Sequence, residues 1–127
     1  MVSKKILLDE LKPRLKERRF RKTRTTWHRE FAEVIAVFNM QTSQWDCNHY
    51  YINIGIYLKC LGSRKDPPEY ECHVRTRLDL KEKLSADIVA EAMRWYEDRV
   101  TMAQVKKRAK ADSRKGYVWV EAIEALK

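Results

Sequence analysis

Thiols and imidazoles are the residues of this sequence with the most direct chemical use, because together they could hold zinc. Cys47, His49, Cys60, Cys72 and His73 are the candidates, and thiolate and imidazole are the usual ligands of structural zinc. No two cysteines lie two to four residues apart, however, and adjacent residues such as Cys72 and His73 point to opposite faces of a strand. We therefore predict no metal site and no cofactor, and interpret the cysteines as small, reduced, buried thiols.

Motifs for catalysis are missing from the sequence. It contains no Gly-x-Ser-x-Gly, no Walker loop and no dinucleotide fingerprint, and its three glycines are too few and too scattered to cradle phosphates. One enzymatic alternative stays open, in which Cys47 is a reactive thiol and His49 is its base. We predict that the protein is not an enzyme.

Two amide side chains, Gln41 and Asn53, interrupt segments that are otherwise strongly apolar. A buried amide without hydrogen-bond partners costs roughly 1–3 kcal/mol, and Gly55 weakens a strand unless another group approaches its backbone closely. A structural interpretation is a β-bulge with a hydrogen-bonded amide pair. The functional interpretation is a protein-binding surface, since tyrosine and tryptophan are favoured interface anchors; its residues would be Gln41, Trp45, Tyr51, Asn53 and Tyr57.

The net charge of +9 is concentrated in two stretches of the chain. Residues 12–24 have a balance of +7 and residues 106–115 a balance of +5, which leaves the remainder at −3. Such patches suit an anionic partner, and with aromatic residues on strand faces they could bind nucleic acid. The residues predicted to contact an anionic partner are Arg14, Arg18, Arg19, Arg21, Lys22, Lys106, Lys107 and Arg108.

A pair of strands between Val34 and Cys60 would carry the binding surface. The first strand, to Gln41, is apolar on both faces until Asn39, which is typical of a strand inside a sheet. The second has apolar residues at alternate positions, so that one face forms core and the other is presented; the core positions are Ile52, Ile54, Ile56 and Leu58, and the presented ones include Tyr51, Asn53 and Tyr57.

Further strands and helices complete the predicted domain. A strand over residues 25–31 should pair with the one starting near Val34, residues 62–69 form a loop, and residues 72–78 form a fourth strand with a basic outer face. Leucine spacing predicts a helix from Ser3 to about Arg18, bent at Pro13. Ser85 is the predicted cap of a long helix whose apolar stripe fades after Ala103. Residues 117–126 fit a strand or, as we favour, a short helix.

These elements predict one α+β domain over residues 1–127. Its antiparallel sheet would have about four strands, with an N-terminal helix and a long C-terminal helix packed on one face.

Four short motifs carry a family resemblance: Leu11-Lys-Pro13, Phe20-Arg-Lys22, Gln41-x-x-x-Trp45 and Tyr51-Ile-Asn-Ile-Gly-Ile56. With them the sequence resembles the small bacterial proteins catalogued as domain of unknown function 4304, most closely over about residues 5–60. Arg19 stands where such sequences often have glycine, which argues against a left-handed helix end there. The resemblance implies a compact cytosolic bacterial domain, without an established activity or catalytic residues.

We therefore predict a cytosolic, non-enzymatic, protein-binding domain. No apolar run approaches the roughly 20 residues of a membrane helix, and the N-terminus lacks the features of a signal peptide. Small orphan α+β domains often serve as immunity proteins beside secreted toxins, so that role is one version of the hypothesis. Because this chain is basic, its partner should be acidic at the contact. The alternative is a nucleic-acid-binding module that uses the two basic patches. The sequence leaves the partner's identity and the oligomeric state open.

Overall fold

Five antiparallel strands form a meander in the part of the chain that the structure, a computed structural model, describes, namely residues 4–42, 50–78 and 84–112. Each strand pairs with the next one along the chain. The strands are β1 (Arg21–Thr23), β2 (Thr26–Glu30), β3 (Val34–Thr42), β4 (Tyr50–Leu58) and β5 (Val74–Leu78), and the helices are α1 (Lys4–Glu17), α2 (Ser85–Glu97) and α3 (Met102–Asp112).

The register of the central strands aligns polar residues in a row across the sheet. Asn39 of β3 lies opposite Asn53 of β4, and Asn53 lies opposite Arg77 of β5. Pairing continues without interruption through Gly55. The predicted β-bulge at this glycine is therefore wrong.

The main core lies between one face of the sheet and the helices. Alternate residues of β4, from Ile52 to Leu58, are fully buried there, as the strand pattern predicts. Leu11 and Leu15 of α1 and Ile88 of α2 belong to the same apolar cluster. The prediction of an antiparallel α+β domain with helices on one face is confirmed in outline.

The sequence predicts about four strands, and the additional strand in the structure is β1. Its three residues, Arg21 to Thr23, are all exposed and carry no apolar alternation. It forms because a tight turn at Arg24, with a left-handed φ of 58°, folds the chain back so that Lys22 pairs with Trp27. The turn uses a conformation in which arginine is uncommon, so local sequence preference gives little sign of it.

The predicted long C-terminal helix is wrong, because the chain breaks between α2 and α3. Thr101 caps α3: its hydroxyl accepts a hydrogen bond from the backbone N–H of Gln104 at 3.2 Å, and the Gln104 side chain accepts one from the Thr101 N–H at 3.2 Å. This reciprocal arrangement is a capping box. At the start of α2, Asp87 accepts from the Leu84 N–H at 3.3 Å, so Ser85 is not the cap that we predicted.

The end of α1 also departs from the prediction. Arg19 adopts a left-handed conformation with φ 67°. The Phe20 N–H bonds the carbonyl of Leu15 at 3.1 Å, and the Arg19 N–H bonds that of Lys16 at 2.9 Å. This is a Schellman motif, and the side chains of Phe20 and Leu15 are both buried in the main apolar cluster. The helix is continuous through Pro13.

Candidate functional site

The two faces of the sheet are covered in different ways. One face is buried by the helices, whereas the other is partly covered by the connection between β4 and β5, residues 59–73, which we call the strap. The imidazole Nε2 of His28 in β2 lies 2.7 Å from the carbonyl oxygen of Pro67 in the strap. Because a carbonyl only accepts, Nε2 carries the proton. The part of this face that the strap leaves uncovered is the candidate site.

Tyr57 lies beneath the strap and is only 4% exposed. It forms a second small core with Ile35, Val37 and Cys72, and its hydroxyl accepts a hydrogen bond from the backbone N–H of Arg64 at 3.3 Å. The prediction that Tyr57 is presented on an open face is therefore wrong. Alternation along β4 gives its face correctly, but it gives no information on what covers that face.

Gly55 allows the strap to approach the sheet closely. A Cβ atom on this residue would lie 2.7 Å from Cys72 Cβ and 2.8 Å from Cys72 Sγ, far inside normal contact distance. The expectation that some group must approach the Gly55 backbone is confirmed. The strap and its close approach thus fix the boundary between the covered and uncovered halves of the face.

A ladder of amide side chains crosses the uncovered half. Asn53 is 4% exposed. Its Nδ2 donates to Gln41 Oε1 at 2.9 Å and to Asn39 Oδ1 at 3.3 Å, and Asn39 Nδ2 donates in turn to Thr26 Oγ1 at 3.0 Å. The predicted amide pair of Gln41 and Asn53 is confirmed. These bonds satisfy the buried amide and hold the Asn53 side chain in one orientation.

Arg77 is the exposed end of this ladder. Its Nε donates to Asn53 Oδ1 at 2.9 Å, and its guanidinium lies over the ring of Tyr51, with Cζ 4.2 Å from the ring centroid. The stacking and the hydrogen bond fix the guanidinium plane. Among residues 4–42, 50–78 and 84–112, no side chain or carbonyl accepts a hydrogen bond from its two terminal nitrogens.

An open groove of about 570 Å³ runs beside Arg77, between the strap and the ends of β2 and β3. Arg75 lines it and binds Glu69 of the strap through two hydrogen bonds of 2.9 and 3.0 Å, so the charges of these two residues neutralise each other. Arg77 supplies the remaining positive charge. The rest of the lining is mainly hydroxyl and amide; it includes Thr25, Thr26, Asn39 and Gln41.

Burial shifts the pKa values of two titratable residues at the strap. Burial lowers the pKa of His28, whose Nδ1 lies 4.0 Å from Asp66 and has no hydrogen-bond partner. Burial also raises the pKa of Cys72 well above its usual value, which disfavours the reactive thiolate. Cys60 is exposed, so our prediction of a buried thiol is wrong there.

No group of three or more possible metal ligands occurs among residues 4–42, 50–78 and 84–112. The predicted binding residue Trp45 and the alternative catalytic pair Cys47 and His49 lie outside these ranges.

None of the eight predicted anion-binding residues lines the groove, and several are used in contacts within the protein. Arg14 donates to Ser85 Oγ at 3.1 Å, Arg21 pairs with Asp66, and Arg108 pairs with Asp98. The remainder lie on α1, β1, the turn between them, or α3; they are Arg18, Arg19, Lys22, Lys106 and Lys107.

Sequence reasoning missed three residues of the site: Asn39, Arg75 and Arg77. From the sequence, Asn39 marks only the end of an apolar run, and the two arginines are interpreted only as part of a basic strand face. The signal that could have found them is the strand register, because a meander that pairs Asn39 with Asn53 also places Arg77 beside Asn53. Gln41, Tyr51 and Asn53 were identified from the sequence, and the structure brings them together.

Comparison with protein-family models identifies a match over most of the chain. A family model described as Domain of unknown function (DUF4304) matches residues 11–116. No curated protein and no solved structure matches. Within the described residues, no helix is both long and apolar enough to span a bilayer.

Proposed function

The chain belongs to the DUF4304 family, and we propose that it is a non-enzymatic protein-binding domain. Its binding surface is the uncovered half of the sheet, with Gln41, Tyr51 and Arg77 as the contact residues. Asn53 positions Arg77, and Tyr57 supports the surface from beneath the strap. The partner presents an acidic segment to this surface.

The observation that carries this proposal is the way in which Arg77 is held. A solvated surface arginine normally retains most of its side-chain freedom, and fixing it costs entropy. Here a buried amide and an aromatic ring fix it before any partner arrives. A guanidinium fixed in this way can bind a carboxylate through two parallel hydrogen bonds with little further loss of entropy.

The charge of the groove favours a carboxylate over a nucleic-acid backbone. Arg75 is neutralised by Glu69, so the groove offers the single positive charge of Arg77. A nucleic acid instead presents a run of phosphates and is bound through many cations. An immunity role, if the partner is a secreted toxin, requires that the toxin be acidic where it meets Arg77.

The cytosolic location stays a prediction from the sequence.

Capture from extract of the source cells, with and without nuclease treatment, tests the proposal. The immobilised chain is compared with Arg77→Gln and with a matched control, Arg18→Gln, which removes the same charge from the exposed end of α1. We expect at least one protein to bind the unaltered chain and the control but to be lost from Arg77→Gln.

Two results would contradict the proposal. One is retention by Arg77→Gln of every protein that the unaltered chain captures. The other is capture that disappears on nuclease treatment and is weakened by Arg18→Gln, which would instead favour the nucleic-acid hypothesis.

A further inference from the structure

Two arginines of β5 lie side by side on the face that lines the groove. Arg75 and Arg77 are two residues apart, so they share one face of the strand, with Cα atoms about 7 Å apart. Both line the groove. Clusters of arginine are a common means of binding a phosphate group, because several guanidinium groups can share its oxygens and its charge. On its own, β5 would therefore favour a phosphorylated ligand.

The strap supplies a carboxylate that occupies one of these two arginines. Glu69 accepts hydrogen bonds from Nε and from one terminal nitrogen of Arg75, at 2.9 and 3.0 Å. These bonds are also the main reason that the pKa of Arg75 is raised. Among the described residues that line the groove, Glu69 is the only acidic one. The charge that remains for a ligand is therefore that of Arg77.

Glu69 is fixed in this position by the backbone of the strap, and its side chain is only 6% exposed. It begins a 3₁₀ turn, in which the Glu71 N–H donates to the Pro68 carbonyl at 3.0 Å. The Cys72 N–H donates to the carbonyl of Glu69 itself, also at 3.0 Å, and Cys72 lies against Gly55 in the sheet. The carboxylate is therefore held by the packing of the strap as well as by charge.

We propose that Glu69 sets the charge specificity of the groove, so that the groove accepts a single carboxylate and disfavours a phosphate group. This inference rests on the proposed function and specifies the acidic group of the partner. A carboxylate matches the one guanidinium of Arg77 through two hydrogen bonds. A phosphate group loses more hydration on binding, and the second arginine that would compensate for this loss is already paired. Glu69 acts through Arg75 and does not itself bind the ligand.

A merely structural role of the ion pair between Glu69 and Arg75 would have a different consequence. If the pair only fastened the strap to the sheet, then its loss would change the affinity for a carboxylate and for a phosphate by the same factor. An effect of charge changes the ratio of the two affinities, because the Coulomb energy is proportional to the charge of the ligand. This ratio is therefore the quantity to measure.

The test compares two peptides that differ only in their acidic group. One is acetyl-Gly-Thr-Glu-Thr-Gly-amide, and the other has phosphoserine in place of the glutamate. Binding to the ¹⁵N-labelled full chain is followed by NMR at about pH 7.5 and constant ionic strength, with up to about 10 mM peptide so that weak complexes are detected. We expect the unaltered chain to bind the glutamate peptide at least as tightly as the phosphoserine peptide. This comparison requires no variant, so it tests the proposal even if a substitution in the strap impairs folding.

The variant Glu69→Gln keeps the shape of the side chain and removes its charge, so that both arginines can attract the ligand. If the affinity for the glutamate peptide rises about threefold, that for the phosphoserine peptide should rise about tenfold, because phosphoserine carries a charge of about −1.5 to −2 and can contact both guanidinium groups. The double variant Glu69→Gln/Arg75→Gln again leaves one arginine. It should return both affinities to within about twofold of the original values.

Glu71→Gln is the matched control. It removes the same charge from the strap, but Glu71 pairs with Arg64 at 3.5 Å and is not one of the described residues that line the groove. It should change either affinity by less than about twofold. An effect as large as that of Glu69→Gln would assign the specificity to the overall charge of the strap and overturn the proposal.

The role of Glu69 is also overturned if Glu69→Gln strengthens both peptides by the same factor, or if the unaltered chain already prefers the phosphoserine peptide. Arg77→Gln separates this result from the proposed function. If that variant abolishes binding of the glutamate peptide while Glu69→Gln leaves the preference unchanged, the carboxylate-binding surface stands and only the role of Glu69 fails. Absence of binding by both peptides in every variant also overturns the role of Glu69, and the extract experiment then decides the proposed function independently.

Discussion

Asn53 combines two properties that usually belong to different residues, because it is buried like a core residue and yet bonded to an exposed charge. Its Nδ2 donates hydrogen bonds to the side-chain oxygens of Gln41 and Asn39, and its Oδ1 accepts one from Arg77. Leaving such a group unpaired would cost about 1–3 kcal/mol. The ladder therefore contributes to the stability of the sheet as well as positioning Arg77, and replacing Arg77 rather than Asn53 is the cleaner test of binding.

Arg19 lies in a conformation that glycine adopts more easily. Replacing it, Arg19→Gly, should raise the free energy of unfolding by about 1 kcal/mol, because the left-handed helix end no longer strains a Cβ atom. Urea denaturation measures the change. The neighbouring Arg18→Gly is the control and should lower stability, since Arg18 has no positive φ. A loss of stability in Arg19→Gly would contradict the helix end described above.

His28 should make stability depend on pH. Its pKa in the folded protein is lowered from 6.5 by burial, although nearby Asp66 acts in the opposite direction. The unfolded chain therefore binds a proton more readily, so the contribution of His28 is fully present above pH 6.5 and is lost as the pH falls below that value. Urea denaturation at about pH 7.5 and at about pH 5 measures the change in the free energy of unfolding. These pH values lie about one unit above and about one and a half units below the ordinary pKa of histidine.

The variant His28→Gln keeps a side-chain N–H that can donate to Pro67 but cannot take up a proton. Its stability should fall less than that of the unaltered chain as the pH is lowered. If the free energy of unfolding falls equally with pH in both proteins, His28 has the same pKa in the folded and unfolded states.

The two described cysteines should differ in reactivity. Cys60 is exposed, whereas Cys72 is buried against Gly55 and its pKa is raised. Iodoacetamide should therefore modify Cys60 in the folded protein and Cys72 only after unfolding. Peptide mass spectrometry reads out both sites. Rapid modification of Cys72 under native conditions would mean that the strap opens away from the sheet.

At the scale of the elements, the capping box of α3 is the feature that local sequence could have predicted. Thr101 followed three residues later by Gln104 fits the general pattern of Ser or Thr followed by Glu or Gln. A continuous apolar stripe was instead given more weight, and it predicted one long helix. β1 is different, because its exposed residues form a strand only through pairing with β2.

The capping interaction has a measurable energetic consequence. Thr101→Ala removes the hydroxyl that accepts the Gln104 N–H, and it should lower the free energy of unfolding by about 1 kcal/mol. Thr101→Ser keeps the hydroxyl and should remain within a few tenths of the original value. Thermal and urea denaturation compare the two. An equal decrease in the free energy of unfolding in both variants would show that the hydroxyl hydrogen bond of Thr101 does not account for its contribution to stability.

At the scale of the whole molecule, the sequence predicts which residues share a face but not which faces are covered. The alternation in β4 placed Tyr51, Asn53 and Tyr57 together, and the register confirms that placement. The strap is a proline-containing loop without an apolar pattern, so its packing over Tyr57 could not be predicted. The key residue, Arg77, is distant in sequence from the central hairpin, and only the arrangement of β5 beside β4 identifies it.

The most direct test of the uncovered sheet face as the binding surface is an NMR titration of the ¹⁵N-labelled chain. An acidic peptide and a single-stranded oligonucleotide of matched length are added separately, and amide shifts are mapped onto the sequence. We expect the peptide to shift the amides of Tyr51, Asn53 and Arg77, and Arg77→Gln to abolish the shifts of Tyr51 and Asn53. A peptide that left these three residues unchanged and acted only on the basic residues of α1 and α3 would contradict this surface.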